Sequence, residues 1–100
     1  MRMSPEERSK MIIDAATELA EKNGLYQFSL IDVGQRLKCA PSLVSYHFGT
    51  IEKLRERVIL NAISDNVVNS PVLAQALVRR DPLVQYLSAR IKRNVLETYM

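Results

Sequence analysis

This sequence is poor in the residues that most enzymes and secreted proteins depend on. It has one Cys, one His and no Trp, with only 3 Gly and 4 Pro in 100 residues. A single cysteine, Cys39, excludes a disulfide within the chain and fits a reducing, cytoplasmic setting. With no second Cys or His, His47 and Cys39 cannot complete a metal site, so no metal is expected. There is no Gly-rich phosphate loop, and nothing assembles a nucleophile, a base and an orienting partner, so neither an enzyme nor a cofactor is expected. No apolar run approaches the roughly 18 residues of a membrane span. The opening MRMSPEERSK is too polar for a signal peptide.

What is present points to helices. The chain is 47% hydrophobic and 25% charged, with a net charge of +3 that leans towards an anionic partner. Ser4-Pro5-Glu6-Glu7 carries an N-cap hydroxyl, Pro at the first helical position and Glu7 placed to close a capping box. The stripe Ile12, Ala15, Ala16, Leu19 and Ala20 predicts a helix over 5–23, stopped by a left-handed residue at Asn23-Gly24. Ser29 with Asp32 repeats the cap logic and opens a second helix over 30–37, with Ile31, Val33 and Leu37 expected to be buried. Lys38-Cys39-Ala40 is a turn. Pro41 then starts a short third helix ending at Gly49, anchored in the core by Val44 and Phe48. A fourth helix is expected from Thr50 or Ile51 to about 69, a short one over 71–80, and a last one over 82–99 with Leu83, Leu87, Ile91 and Val95 in line. The expected fold class is all-α: residues 1–50 form a head, and 51–100 supply linking and dimerisation helices packed with it as one unit.

Two short helices separated by a tight turn make a helix-turn-helix, which can offer its second helix to the major groove of DNA. From Val33 to Ile51 there is no acidic residue, while Arg36, Lys38 and His47 fall in that window. A surface that approaches phosphates must avoid carboxylates. Ile12-Ile13-Asp14-Ala15-Ala16, Leu19, Gly24, Phe28-Ser29, Leu54 and above all Pro41-Ser42-Leu43-Val44-Ser45-Tyr46-His47-Phe48-Gly49 resemble the N-terminal DNA-binding domain of the TetR family of bacterial regulators. The resemblance spans about residues 5–69. It implies a three-helix head whose recognition helix is near 41–48, and a fourth helix linking it to a dimerising body. Three positions depart from the family pattern. Lys38 stands where the turn usually has Gly, Ser45 where an aromatic usually precedes Tyr46, and Ile51 where a Lys usually follows the Phe. The phosphate contact of that missing Lys passes to the Thr50 hydroxyl, the free N–H groups beside it, or Lys53.

The candidate DNA-binding residues are therefore Ser29, Lys38, Pro41, Ser42, Leu43, Ser45, Tyr46, His47, Thr50 and Lys53. Ser42, Leu43 and Tyr46 are expected to read the groove; Ser29, Lys38, Ser45, His47 and the fourth helix start hold phosphates. Each has a plainer alternative. Tyr46 as a ring over the helix junction, His47 as an ordinary surface group, Leu43 as core, Ser29 as a cap, and Arg36 and Lys38 as solvated charges all remain open. Arg90, Lys92 and Arg93 read as solubilising charges, with a second DNA contact as the alternative. The chain is too short after Asn69 to enclose a ligand pocket, so no small-molecule effector is expected if it is complete. The partners expected are duplex DNA and a second copy of the chain, in a repressor that occupies a promoter. The rival readings are a protein-interaction module on the same scaffold, and the head of a longer ligand-responsive regulator.

Overall fold

The computed structural model describes residues 3–65 and 70–99. Among them are six α-helices and no strand: α1 Pro5–Asn23, α2 Leu30–Leu37, α3 Pro41–Phe48, α4 Ile51–Asp65, α5 Pro71–Val78 and α6 Ala89–Tyr99, with a 3₁₀ turn at Pro82–Val84 before α6. The capping signals act as expected. Ser4 Oγ accepts from the Glu7 N–H at 3.1 Å, although the Glu7 carboxylate turns to the Ser4 hydroxyl instead of the cap N–H. Gly24, at φ 112°, ends α1. Ser29 and Asp32 form a complete capping box on α2. The expected continuation of α4 to about 69 falls partly outside the described residues.

Three expectations are corrected. Ile31 is 58% exposed, because the inward face of α2 is Leu30, Val33, Gly34 and Leu37, at positions one, four, five and eight of the helix. The short helix after Pro71 stops at Val78, and Arg80 adopts a left-handed φ of 55°. The predicted 82–99 helix is two elements. Asp81 caps only a 3₁₀ turn, its Oδ1 accepting from the Leu83 N–H at 3.0 Å, and Ser88 Oγ starts α6 afresh by accepting from the Ile91 N–H at 3.2 Å. A second helix-starting hydroxyl inside the apolar stripe breaks it without interrupting its spacing.

One continuous core runs from Ile12 in α1 to Val95 in α6. Val72 and Leu73 of α5, both fully buried, lie in it with Leu54 and Val58 of α4. Side chains of this kind are worth roughly 1.5–3 kcal/mol each, against a net stability of about 5–15 kcal/mol. The C-terminal part therefore holds the head together and is no appendage. The apolar stripe of the last segment is used in the same way: Leu87 and Val95 are buried, Leu83 and Ile91 pack against the core, and α6 lies on α5.

The seam between the head and the C-terminal helices is polar and specific. Gln75 of α5 donates through Nε2 to the Ala20 carbonyl at 3.1 Å and accepts through Oε1 from the Leu25 N–H at 2.6 Å, so one amide satisfies the end of α1 and the connector after it. Tyr26 donates its hydroxyl to Asp81 Oδ2 at 2.9 Å, and the guanidinium groups of Arg55 and Arg79 lie 5.1 and 4.6 Å from its ring centroid. Arg55 Nε also donates to the Leu25 carbonyl at 3.1 Å. Burial, and then the hydrogen bond to Asp81, raise the Tyr26 phenol above its ordinary pKa.

Tyr26→Phe removes the hydrogen bond and leaves Asp81 one donor short, so it should cost about 1 kcal/mol and lower the melting temperature by roughly 4–8 °C. A phenol whose pKa is raised by folding stabilises fully below its unfolded pKa of about 10 and loses that contribution as the pH climbs beyond it. Thermal melts at pH 7 and above pH 10 should therefore show the wild-type advantage over Tyr26→Phe present at the first and shrinking at the second.

Candidate nucleic-acid interface

The interface is built around the corner between α2 and α3. Its tightest point is Gly34, inside α2. A Cβ there would stand 2.8 Å from the Cys39 carbonyl oxygen and 3.3 Å from the Pro41 nitrogen, both backbone atoms with no freedom to step aside. The chain returns over this bare backbone: the Cys39 N–H donates to the Gly34 carbonyl at 2.9 Å, and the Lys38 N–H to Gln35 at 3.3 Å. To make so short a return, Lys38 takes φ 58°, ψ 44°, the left-handed conformation that Gly usually supplies. Gly34 was not among the residues singled out from the sequence. A lone Gly within a helical apolar pattern is the signal of close backbone approach that marks it.

Once α3 is set on α2 and α4, its two sides separate sharply. Val44 and Phe48 are buried at 0% and 8% exposure, while Tyr46 between them is 84% exposed. Pro41 and Ser42 are also exposed, and Ser45 and Leu43 are half-buried. Leu43 lines a surface hollow with Met3, Arg8, Met11, Ile12, Leu37 and Cys39. His47 is half-buried, its ring edge-on to Tyr46 at 5.4 Å, and its Nε2 is buried without a hydrogen-bond partner. In this conformation Nε2 faces away from solvent, so it reaches a phosphate only if the ring turns. Ala40 offers no side-chain cap and the first turn of α3 holds no acid. The amino end of this helix is thus open to hydrogen-bond acceptors.

The surrounding groups divide. Ser29 is occupied as a cap: its Oγ accepts from the Asp32 N–H at 3.2 Å, and Asp32 Oδ2 accepts from the Ser29 N–H at 2.9 Å. That places a carboxylate on the amino end of α2, where it opposes an incoming phosphate. Arg36 is paired with Glu18 at 2.7 Å on the surface of α1. Thr50 is exposed and caps α4, its Oγ1 accepting from the Lys53 N–H at 3.3 Å. Lys38 and Lys53 are exposed, and neither makes an ion pair among the described residues. The structure therefore gathers Pro41, Ser42 and Tyr46 on the outer face of α3, with Lys38 at the turn before it and Thr50 and Lys53 at the α4 start after it. Ser29 is engaged as the α2 cap, and Leu43 stays half-buried at the side of α3, not among the side chains packed on the core.

Residues 12–58 match a family model described as bacterial regulatory proteins, tetR family. Neither a curated protein nor a solved structure matches the chain. The matched span runs from the buried face of α1 through α2 and α3 into the middle of α4, and so contains the whole corner.

Two substitutions at this corner should act in opposite directions. Gly34→Ala forces a methyl against backbone and should destabilise by roughly 1–3 kcal/mol while shifting α3, read as a lower melting temperature and altered amide shifts in α3. Lys38→Gly relieves the left-handed lysine and should stabilise by about 1 kcal/mol in the same melts.

Proposed function

With a TetR-family helix-turn-helix domain as its head, the chain is one for which we propose sequence-specific binding to duplex DNA, as a homodimer that represses transcription by occupying a promoter. The observation that carries this reading is the outward stance of Tyr46, 84% exposed on a helix whose opposite side is buried. Solvent does not reward exposing an aromatic ring, and a ring in that position can lie on a thymine methyl while its hydroxyl meets a phosphate. Ser42 on the same face adds a hydroxyl for a base edge or phosphate. Lys38 and the α4 start at Thr50 and Lys53 flank it and fix its register on the backbone.

Pairing about a two-fold axis would set two α3 helices on one face of the duplex, a helical turn or a multiple of it apart. The stripe on the last segment is already used against α5, so the apolar side chains left for pairing are those that stay exposed, among them Leu60 of α4 and Tyr99 of α6. The rival, a protein-interaction module on the same scaffold, has one observation in its favour: the sparse charge around α3, where Arg36 is neutralised by Glu18.

Selection from random duplex DNA should enrich a two-fold symmetric site, and sedimentation equilibrium should give twice the chain mass. On the enriched site, Tyr46→Ala should weaken binding by roughly 1–3 kcal/mol with the melting temperature unchanged. Fluorescence anisotropy measures the loss. Equal affinity of the two proteins would remove Tyr46 from the interface, and a failure to enrich any duplex would favour the protein-interaction reading.

A further inference from the structure

The charge of this chain is not where its DNA-binding helix is. Residues 1–65 hold nine Lys and Arg against nine Asp and Glu, so the head and α4 have no net charge. The whole excess of +3 lies in residues 66–100, and it is concentrated further: Arg79, Arg80, Arg90, Lys92 and Arg93 fall within fifteen residues that contain one acid, Asp81.

That acid does not neutralise them. Asp81 spends Oδ1 on the Leu83 N–H at 3.0 Å and Oδ2 on the Tyr26 hydroxyl at 2.9 Å. None of the five cations makes an ion pair among the described residues. Arg79 lies over the Tyr26 ring and Lys92 Nζ donates to the Gln85 carbonyl at 2.8 Å, while Arg80, Arg90 and Arg93 are exposed, with no carboxylate paired to them among the described residues. The segment is also held together. Gln85 Nε2 donates to the Asp81 carbonyl at 3.4 Å, the Lys92 contact closes the turn onto α6, and Val84, Leu87 and Val95 are buried in the common core, with the 3₁₀ turn and α6 both packed on α5. Cations crowd the first turn of α6, which carries no acid, and this is the end where a helix dipole disfavours positive charge. The fold keeps an arrangement that its own electrostatics oppose. An external polyanion removes that opposition.

We infer that the corner from the end of α5 to the start of α6 is a second, sequence-independent surface for the phosphate backbone of duplex DNA, supplying most of the salt dependence of binding while α3 supplies its selectivity. This inference rests on the DNA-binding reading above. Its occupant is DNA because the other surface of the same chain is fitted to a duplex yet, among the described residues around α3, brings only Lys38 and Lys53 as unpaired cations. An affinity for phosphates drawn from those two alone would be small.

The test uses the full chain and a random-sequence 30-base-pair duplex, titrated by fluorescence anisotropy across roughly 50–200 mM salt. Replacing Arg80, Arg90 and Arg93 together by Gln should flatten the slope of log K against log salt by about two to three, since each phosphate contact contributes about 0.9. Affinity for the random duplex at the low-salt end should fall at least tenfold, while the preference for the selected site over the random duplex is retained. The same three positions changed to Lys should keep the wild-type slope, which separates a charge effect from misfolding. Tyr46→Ala should do the reverse, losing preference and keeping slope. A Gln variant that folds and keeps the wild-type slope overturns the inference while leaving the α3 reading intact, and directs these cations to an acidic protein instead. A wild-type chain that binds neither the random nor the selected duplex overturns both.

Discussion

The proposed interface depends on a contact between two stretches of bare backbone. At Gly34 there is no room for even a methyl group beside the Cys39 carbonyl. That approach lets the chain turn within three residues, and it forces Lys38 into a left-handed conformation to do so. The direction of α3 follows from the turn, and the burial of Val44 and Phe48 then fixes which side of α3 faces out. Tyr46 is presented because these three constraints agree. None of them involves Tyr46 itself, so the exposed ring can change the interface without changing the fold.

The C-terminal helices serve this arrangement from behind. α5 completes the core beneath α1 and α4, and Gln75 and Tyr26 tie its polar edge to the connector that leads into α2. The segment after α5 turns Val84, Leu87 and Val95 inward and leaves Arg80, Arg90 and Arg93 exposed. The two surfaces thus differ in kind: α3 is shaped and brings few unpaired cations among the described residues, while the corner after α5 is charged. A recognition surface with few charges gains selectivity because little of its binding is indifferent to sequence. A separate basic surface can supply the affinity that such economy gives up.

Much of this was legible in the sequence because it is written locally. Ser4-Pro5, Ser29 with Asp32, and Pro41 mark helix starts by their own hydrogen-bonding chemistry, and each marks the start seen in the structure. Val44 and Phe48 share a helical face and are buried together. What was not legible depends on three-dimensional neighbours. Ile31 looks like core by composition, but a two-turn helix buries one stripe and Ile31 is off it. Leu83 to Val95 keep a four-residue spacing through a 3₁₀ turn, so periodicity alone cannot see the break, whereas the Ser88 hydroxyl makes it. Arg36 looks like a phosphate contact until Glu18, eighteen residues earlier, is brought beside it. Ser29 is seen to cap α2, while Leu43 stays half-buried between groove and core.

In the proposed mode of binding, the outer face of α3 is the surface that meets the duplex. Amide chemical-shift mapping of the isotopically labelled chain, titrated with a selected duplex, addresses it residue by residue. Ser42, Ser45, Tyr46 and Thr50 should show the largest changes, with the buried amides of Val33 and Leu54 nearly still. Large changes confined to the groove between α1 and α4, with Ser42 and Tyr46 unmoved, would contradict it.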